Sequence, residues 1–255
     1  MDSNIILAFL FSFIAGSSTI LGSLVAFFIK DVSPSSRFLP VCMGFSAGVM
    51  IQISFMELLF SAIIEVGLIY SNISFFLGIV FIAFIDFLIP HEYKDEYRSN
   101  IEKNNQKLMK TGFLVSIGIA IHNFPEGIVT LFGTIKNPKI GLMLLIAIAL
   151  HNIPEGISIS LPIYYATKSR KRAFAWSFFS GFSELIGAVI GFFFLFPFIN
   201  PFIISLSLAF VAGIMVFISF DELLPTSLSN GHEHIAITSL FLGMGMMTLI
   251  LLILK

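Results

Sequence analysis

Long apolar runs separated by short polar ones set the pattern of this chain. A membrane-crossing helix needs about 20 mostly apolar residues. Eight stretches meet or approach that length: 5–29, 39–64, 73–89, 114–133, 140–161, 173–198, 202–224 and 235–254. The third is short. The longest connection, 90–110, reads PHEYKDEYRSNIEKNNQKLMK and predicts a polar loop. The first stretch has no basic start and is too long for a signal peptide, so it is expected to be the first span.

The pattern repeats. FSAGVMIQISFMELL (45–59) and FVAGIMVFISFDELL (210–224) agree at ten of fifteen positions at an offset of 165 residues. The same offset pairs Gly16 with Gly181, Gly22 with Gly187 and the FLG at 76–78 with that at 241–243. Segments one to three therefore resemble segments six to eight. Five segments separate equivalent helices, an odd number, so the two units run in opposite directions. The predicted fold is an all-α membrane protein of eight transmembrane helices in a 3+2+3 arrangement with inverted repeats. It forms one polytopic domain over 1–255: repeat one at 5–89, a cytoplasmic loop at 90–110, a central helix pair at 114–161 and repeat two at 173–254. Inverted repeats of this kind accompany transporters whose sites lie near the midplane.

Composition points the same way. The chain is 57% hydrophobic and 11% charged, against about 25% charged in soluble domains, so lipid is its expected surroundings. A net charge of −1 gives no footprint for nucleic acid. Cys42 is the only cysteine, which excludes an internal disulfide and thiolate-rich zinc sites. Of the 14 Lys and Arg, eleven fall on one side of the predicted spans (Lys30, Arg37, Lys94, Arg98, Lys103, Lys107, Lys110, Lys168, Arg170, Lys171, Arg172). Three fall on the other (Lys136, Lys139, Lys255). The positive-inside rule makes the first side cytoplasmic and both termini non-cytoplasmic. The expected place is the plasma membrane. Trp176, Tyr164 and Tyr165 flank the basic loop as interface anchors.

The chemistry sits in two copies of one motif, HNFPEG from His122 and HNIPEG from His151, 29 residues apart at the centres of adjacent segments. His122 and Glu126 share a helix face, with Asn123 close to it; His151, Asn152 and Glu155 repeat this. Pro125 and Pro154 lack an N–H, so the carbonyls of Ile121 and Leu150 lose their helical partners. Two antiparallel helices facing each other here bring two imidazoles, two amides and two carboxylates to one place. An unpaired carboxylate at mid-bilayer costs about 2.5–3.5 kcal/mol, and two close ones repel. A divalent cation relieves both. This donor mixture suits Zn²⁺, Fe²⁺, Mn²⁺ or Cd²⁺ and is too nitrogen-rich for a dedicated Ca²⁺ or Mg²⁺ cage. The competing explanation, polar packing glue between helices, fits a single copy better than two matched ones.

Other acids and a thioether join the candidates. Glu184, central in SGFSELIGA, reads as a ligand from a third helix or as a protonated acid bonded to a neighbour. Its repeat position holds Thr19. Met50 is a soft ligand or an ordinary core methionine. Glu57 lies towards the outer surface, and its repeat mate Glu222, beside Asp221, towards the cytoplasm. They read as inlet and outlet residues or as interfacial acids. Asp86 reads as a helix-end or ion-pair residue. GHEH (231–234) and His91–Glu92 are weak metal binders or solvated loops.

These residues bear a family resemblance. HNFPEG, HNIPEG, SGFSELIGA and AGIMVFISFDELLP, in this order on eight spans, resemble the ZIP family of divalent metal transporters, its bacterial zinc importers above all. The resemblance covers nearly the whole chain. It implies a binuclear centre in which Glu126 and Glu155 bridge both metals and His122 belongs to the main transport site. Asn123, His151, Asn152 and Glu184 would shape the second site, and Met50 aligns with a methionine of some members. It also implies inward transport by sliding of segments one, four, five and six against two, three, seven and eight, and a homodimer. The His-rich stretch of many members' inner loop is missing here, where only His91 occurs. The expected cargo is zinc first, with iron, manganese, cadmium and cobalt as further candidates. No prosthetic group and no enzymatic activity are expected. The alternative is an intramembrane metalloenzyme using metal-activated water; against it, the chain has no HExxH.

Overall fold

The computed structural model describes residues 2–28, 37–88, 101–195, 200–228 and 232–254. Within them, the side chains of His122 and Glu222 lie outside what is described, as do His91, Glu92 and the glycine of GHEH. Apart from short connections, the described residues are helical, with no strand among them. Helix α1 is Asp2–Phe28 and α2 is Phe38–Ile53. A π-helical turn, Ser54–Leu59, joins α2 to α3, Phe60–Val66. Then follow α4 (Leu68–Leu88), α5 (Ile101–Lys136), α6 (Pro138–Thr167), α7 (Arg170–Leu195) and α8 (Pro201–Ile218). A second π turn, Ser219–Leu223, leads into α9 (Leu224–Leu228), and α10 is Glu233–Leu254.

Local chemistry explains several ends. Asn137 accepts a hydrogen bond from Lys139 N (2.9 Å) and Asn200 one from Ile203 N (2.9 Å), each followed by proline at the first helical position. The side-chain cap satisfies a free N–H, and proline has none to lose there. Gly67, at φ +86, joins α3 to α4 in a conformation that L side chains rarely adopt. Lys168 closes α6 from the left-handed region, its N–H donating to Tyr164 O at 2.7 Å. Its ammonium lies 5.5 Å from the Tyr165 ring, and the Trp176 ring meets Phe113 of α5 edge-on at 5.1 Å.

Among the described residues, seven helical stretches are long and apolar enough to cross a membrane: Asn4–Leu24, Pro40–Val66, Leu68–Phe87, Pro138–Thr167, Arg170–Phe194, Pro201–Asp221 and Glu233–Ile253. The predicted segment 114–133 lies inside α5, which is not one of the seven. The predicted loop is shorter than the sequence reading gave. Helix begins at Ile101, because Glu102, Lys103, Gln106, Lys107, Leu108 and Met109 are all good helix formers that the hydropathy pattern ignores. Helix α10 likewise starts early, taking in Glu233 and His234.

The helices pack in two bundles. In the first, α1, α5, α6 and α7 pack on one another. In the second, α2 packs on α10 and α4 on α8, with α3, α9 and the π turns between them. The bundles meet through α2 against α6 and α5 against α8. Close backbone crossings set these contacts. A Cβ on Gly16 would strike Gly181 O, and one on Gly181 would strike Gly16 O, so α1 and α7 cross glycine on glycine. Four further crossings exchange under the 165-residue offset. Gly48 lies against Leu240 O as Gly213 does against Phe75 O, and Gly243 against Phe45 O as Gly78 does against Phe210 O. Even the π turns obey it, starting at Ser54 and at Ser219. In each, the serine hydroxyl donates to a methionine carbonyl one turn back, Met50 O or Met215 O, at 2.7 Å.

Candidate metal centre

The two motifs occupy facing stretches of α5 and α6, packed between α1 and α7. Asn123, Glu126, His151, Asn152, Glu155 and Glu184 are all buried, none more than 1% exposed. Charged and amide groups withdrawn this far from water need partners, and the partners fall into a regular scheme.

Across the central pair, His151 Nε2 meets Glu126 Oε1 at 2.9 Å. Each asparagine is held from outside. Asn123 Nδ2 donates to Ser180 O of α7 at 3.3 Å, and Asn152 Nδ2 donates to Ala15 O of α1 at 3.1 Å. Ala15 and Ser180 are one repeat apart and stand beside the Gly16–Gly181 crossing. The tight crossing thus sets the carbonyls that orient both amides. Asn152 Nδ2 also donates to Glu184 Oε2 at 3.1 Å.

With the amide nitrogens tied back, three buried oxygens on three helices accept no hydrogen bond from any described residue: Asn123 Oδ1, Asn152 Oδ1 and Glu184 Oε1. All three are acceptors, so a cation satisfies them as a second carbonyl cannot. Among the described residues, no three His, Cys, Asp or Glu side chains gather closely enough to hold an ion. Instead they close in pairs, Glu126 on His151 and Asn152 on Glu184.

The remaining candidates lie apart. Met50 is fully buried in the second bundle, one turn from Ser46, whose hydroxyl donates to His151 O at 3.1 Å. Glu57 sits in the first π turn, 4% exposed, and accepts from Ser61 Oγ at 3.1 Å. Asp221 sits in the second π turn and is exposed. Asp86 lies near the end of α4. Sequence reasoning missed Ser46, and it missed the carbonyls of Ala15 and Ser180. A backbone acceptor leaves no trace in residue type, but the paired small residues at 15–16 and 180–181 were a usable signal.

Comparison with known proteins agrees on one family. Residues 88–251 match the sequence profile described as ZIP Zinc transporter. The chain is 46% identical to a protein of Chlorobium luteolum named Zinc transporter ZupT, over 99% of both chains. It is 44% identical to one of that name from Streptococcus mutans, again over 99% of both. A third, from Clostridium perfringens, is 43% identical over 98% of this chain and 97% of its own.

Proposed function

Because the chain belongs to the ZIP zinc transporter family and is a multi-pass membrane protein, we propose that it carries zinc into the cytoplasm through the centre between α5 and α6. The observation that carries this reading is the set of buried, partnerless acceptor oxygens beside the Glu126–His151 contact. Imidazole, carboxylate and amide oxygen together suit zinc and its borderline neighbours Fe²⁺, Mn²⁺, Cd²⁺ and Co²⁺. An arriving ion takes the place of the hydrogen between His151 and Glu126. Glu155 and His122 complete its surroundings, with Asn123, Asn152 and Glu184 on the flank. Ligands must be deprotonated to bind, so uptake weakens in acid.

The architecture we assign is eight spans, with α5 as the fourth, arranged 3+2+3 about an in-plane two-fold axis. The glycine crossings that exchange under the 165-residue offset support it. The unequal sharing of Lys and Arg supports a plasma-membrane orientation with both termini outside. Metal enters past Glu57 and leaves past Asp221 and Glu222. The division into two bundles supports sliding of the first, which holds the acids, against the second. A homodimer is carried over from the family resemblance alone.

The test is zinc entry into liposomes holding the purified protein, read by a dye inside. Wild type should carry zinc, and Glu155→Ala and His122→Ala should not. Competition by Cd²⁺, Fe²⁺, Mn²⁺ and Co²⁺ then ranks the cargo. A folded wild type that moves no zinc overturns the reading.

A further inference from the structure

The centre is two-fold symmetric in its backbone and asymmetric at one side chain. Asn123 on Ser180 O maps onto Asn152 on Ala15 O. Gly187 against Phe124 O maps onto Gly22 against Ile153 O, and Gly127 against Glu184 O maps onto Gly156 against Thr19 O. The last pair puts Thr19 of α1 where Glu184 stands in α7. Their side chains also leave the helices alike. A Cβ on Gly16 would lie 3.3 Å from Glu184 Cβ, and one on Gly181 would lie 3.0 Å from Thr19 Cβ.

On the Glu184 side the carboxylate reaches Asn152. On the other side threonine is two atoms shorter than glutamate. Thr19 is 0% exposed and its hydroxyl makes no hydrogen bond to any described residue; nor does Asn123 Oδ1. A buried hydroxyl left unpartnered is destabilising by about 1–3 kcal/mol. Several helix serines of the same bundle show the usual remedy, bonding to a carbonyl three or four residues back, as Ser12 does to Ala8 O and Ser158 to Glu155 O, whereas Thr130 and Ser180 do not. Thr19 takes no such bond.

We propose that Thr19 is a specificity-determining residue of the metal centre, its hydroxyl oxygen serving the cation on the Asn123 side as the Glu184 carboxylate does on the Asn152 side. The hydroxyl is neutral, so the two halves are unequal. One pairs an amide with a full negative charge, the other an amide with a dipole. A divalent ion is held harder beside Glu184 and released more readily beside Thr19. Thr19 and Asn123 both offer hard oxygen, which favours Mn²⁺ over Cd²⁺ there.

This rests on the zinc-carrier reading, so the experiment includes a control for it. Wild type, Thr19→Val, Thr19→Ser and Glu155→Gln are compared in zinc uptake into dye-loaded liposomes, with Mn²⁺ and Cd²⁺ as competitors and thermal melting as the check on folding. Valine keeps the shape and removes the hydroxyl. It should raise half-saturating zinc about tenfold and weaken Mn²⁺ competition more than Cd²⁺ competition, while serine restores both. An unchanged half-saturation or an unchanged competition order in Thr19→Val overturns the role of Thr19. So does a Thr19→Ser that behaves like valine. A folded wild type that moves no zinc overturns the carrier reading itself, and a Glu155→Gln protein that still carries zinc overturns the placement of transport at this centre, whatever Thr19 does.

Discussion

The two bundles differ in what they bury. The first, α1 with α5, α6 and α7, hides Asn123, Glu126, His151, Asn152, Glu155 and Glu184. Among the described residues, the second buries Glu57 in a π turn beside a core of Phe75, aliphatic and small residues, such as Val49, Ile53, Leu208, Ile214 and Met247. Both are held by glycine crossings of the same kind. Similar packing therefore supports opposite chemistry, and the bundle with the acids touches the other mainly along α2–α6 and α5–α8. A frame that keeps its polar groups on one side of such a seam can move them as a unit.

The comparison breaks most readily at the acids. Glu155→Ala should take liposome zinc uptake to background, whereas Val49→Ala in the second bundle should lower stability and leave half-saturating zinc unchanged. Glu184→Gln keeps the Asn152 contact and removes a charge, so zinc binding followed by calorimetry should weaken about tenfold. Next come the crossings. Gly181→Ala drives a Cβ into the backbone of Gly16, with an expected loss of about 1–3 kcal/mol on thermal unfolding. Gly245→Ala in α10 meets nothing within 4 Å and should be neutral or gain up to about 1 kcal/mol. Ser46→Ala removes a hydrogen bond that crosses the seam to His151 O; about 1 kcal/mol is expected, seen as a modest change in turnover. The smallest effect belongs to Lys136→Gln. Its ammonium joins α5 to Glu65 at 3.5 Å and to Ser205 at 3.0 Å. Partly exposed pairs are worth about 0–1 kcal/mol, so melting should barely move.

Much of this was legible in the sequence because lipid and period leave strong marks. Of the eight spans expected from apolar length, seven match long apolar helices, and the 165-residue repeat paired Gly16 with Gly181 and Gly22 with Gly187 without showing the carbonyls they meet. The acids and amides stood out because such groups are rare inside apolar runs. The start of α5 was not legible from hydropathy, since 101–110 is polar yet helix-forming. The π turns were not legible either. One extra residue per turn has no compositional signature, and SFMELL reads as ordinary helix. Nor was the hold on the asparagines visible, because its acceptors are main-chain carbonyls. The side chain of His122 lies outside the described residues, so its part in the centre still rests on sequence.

The π turns carry a practical warning for anyone labelling this protein. An inserted residue shifts the phase of everything beyond it by about 100°. A helical wheel drawn straight through Ser54 or Ser219 will turn the positions of the second half about a quarter turn away from their true faces. Cysteine-accessibility maps of these two helices should restart their wheels there.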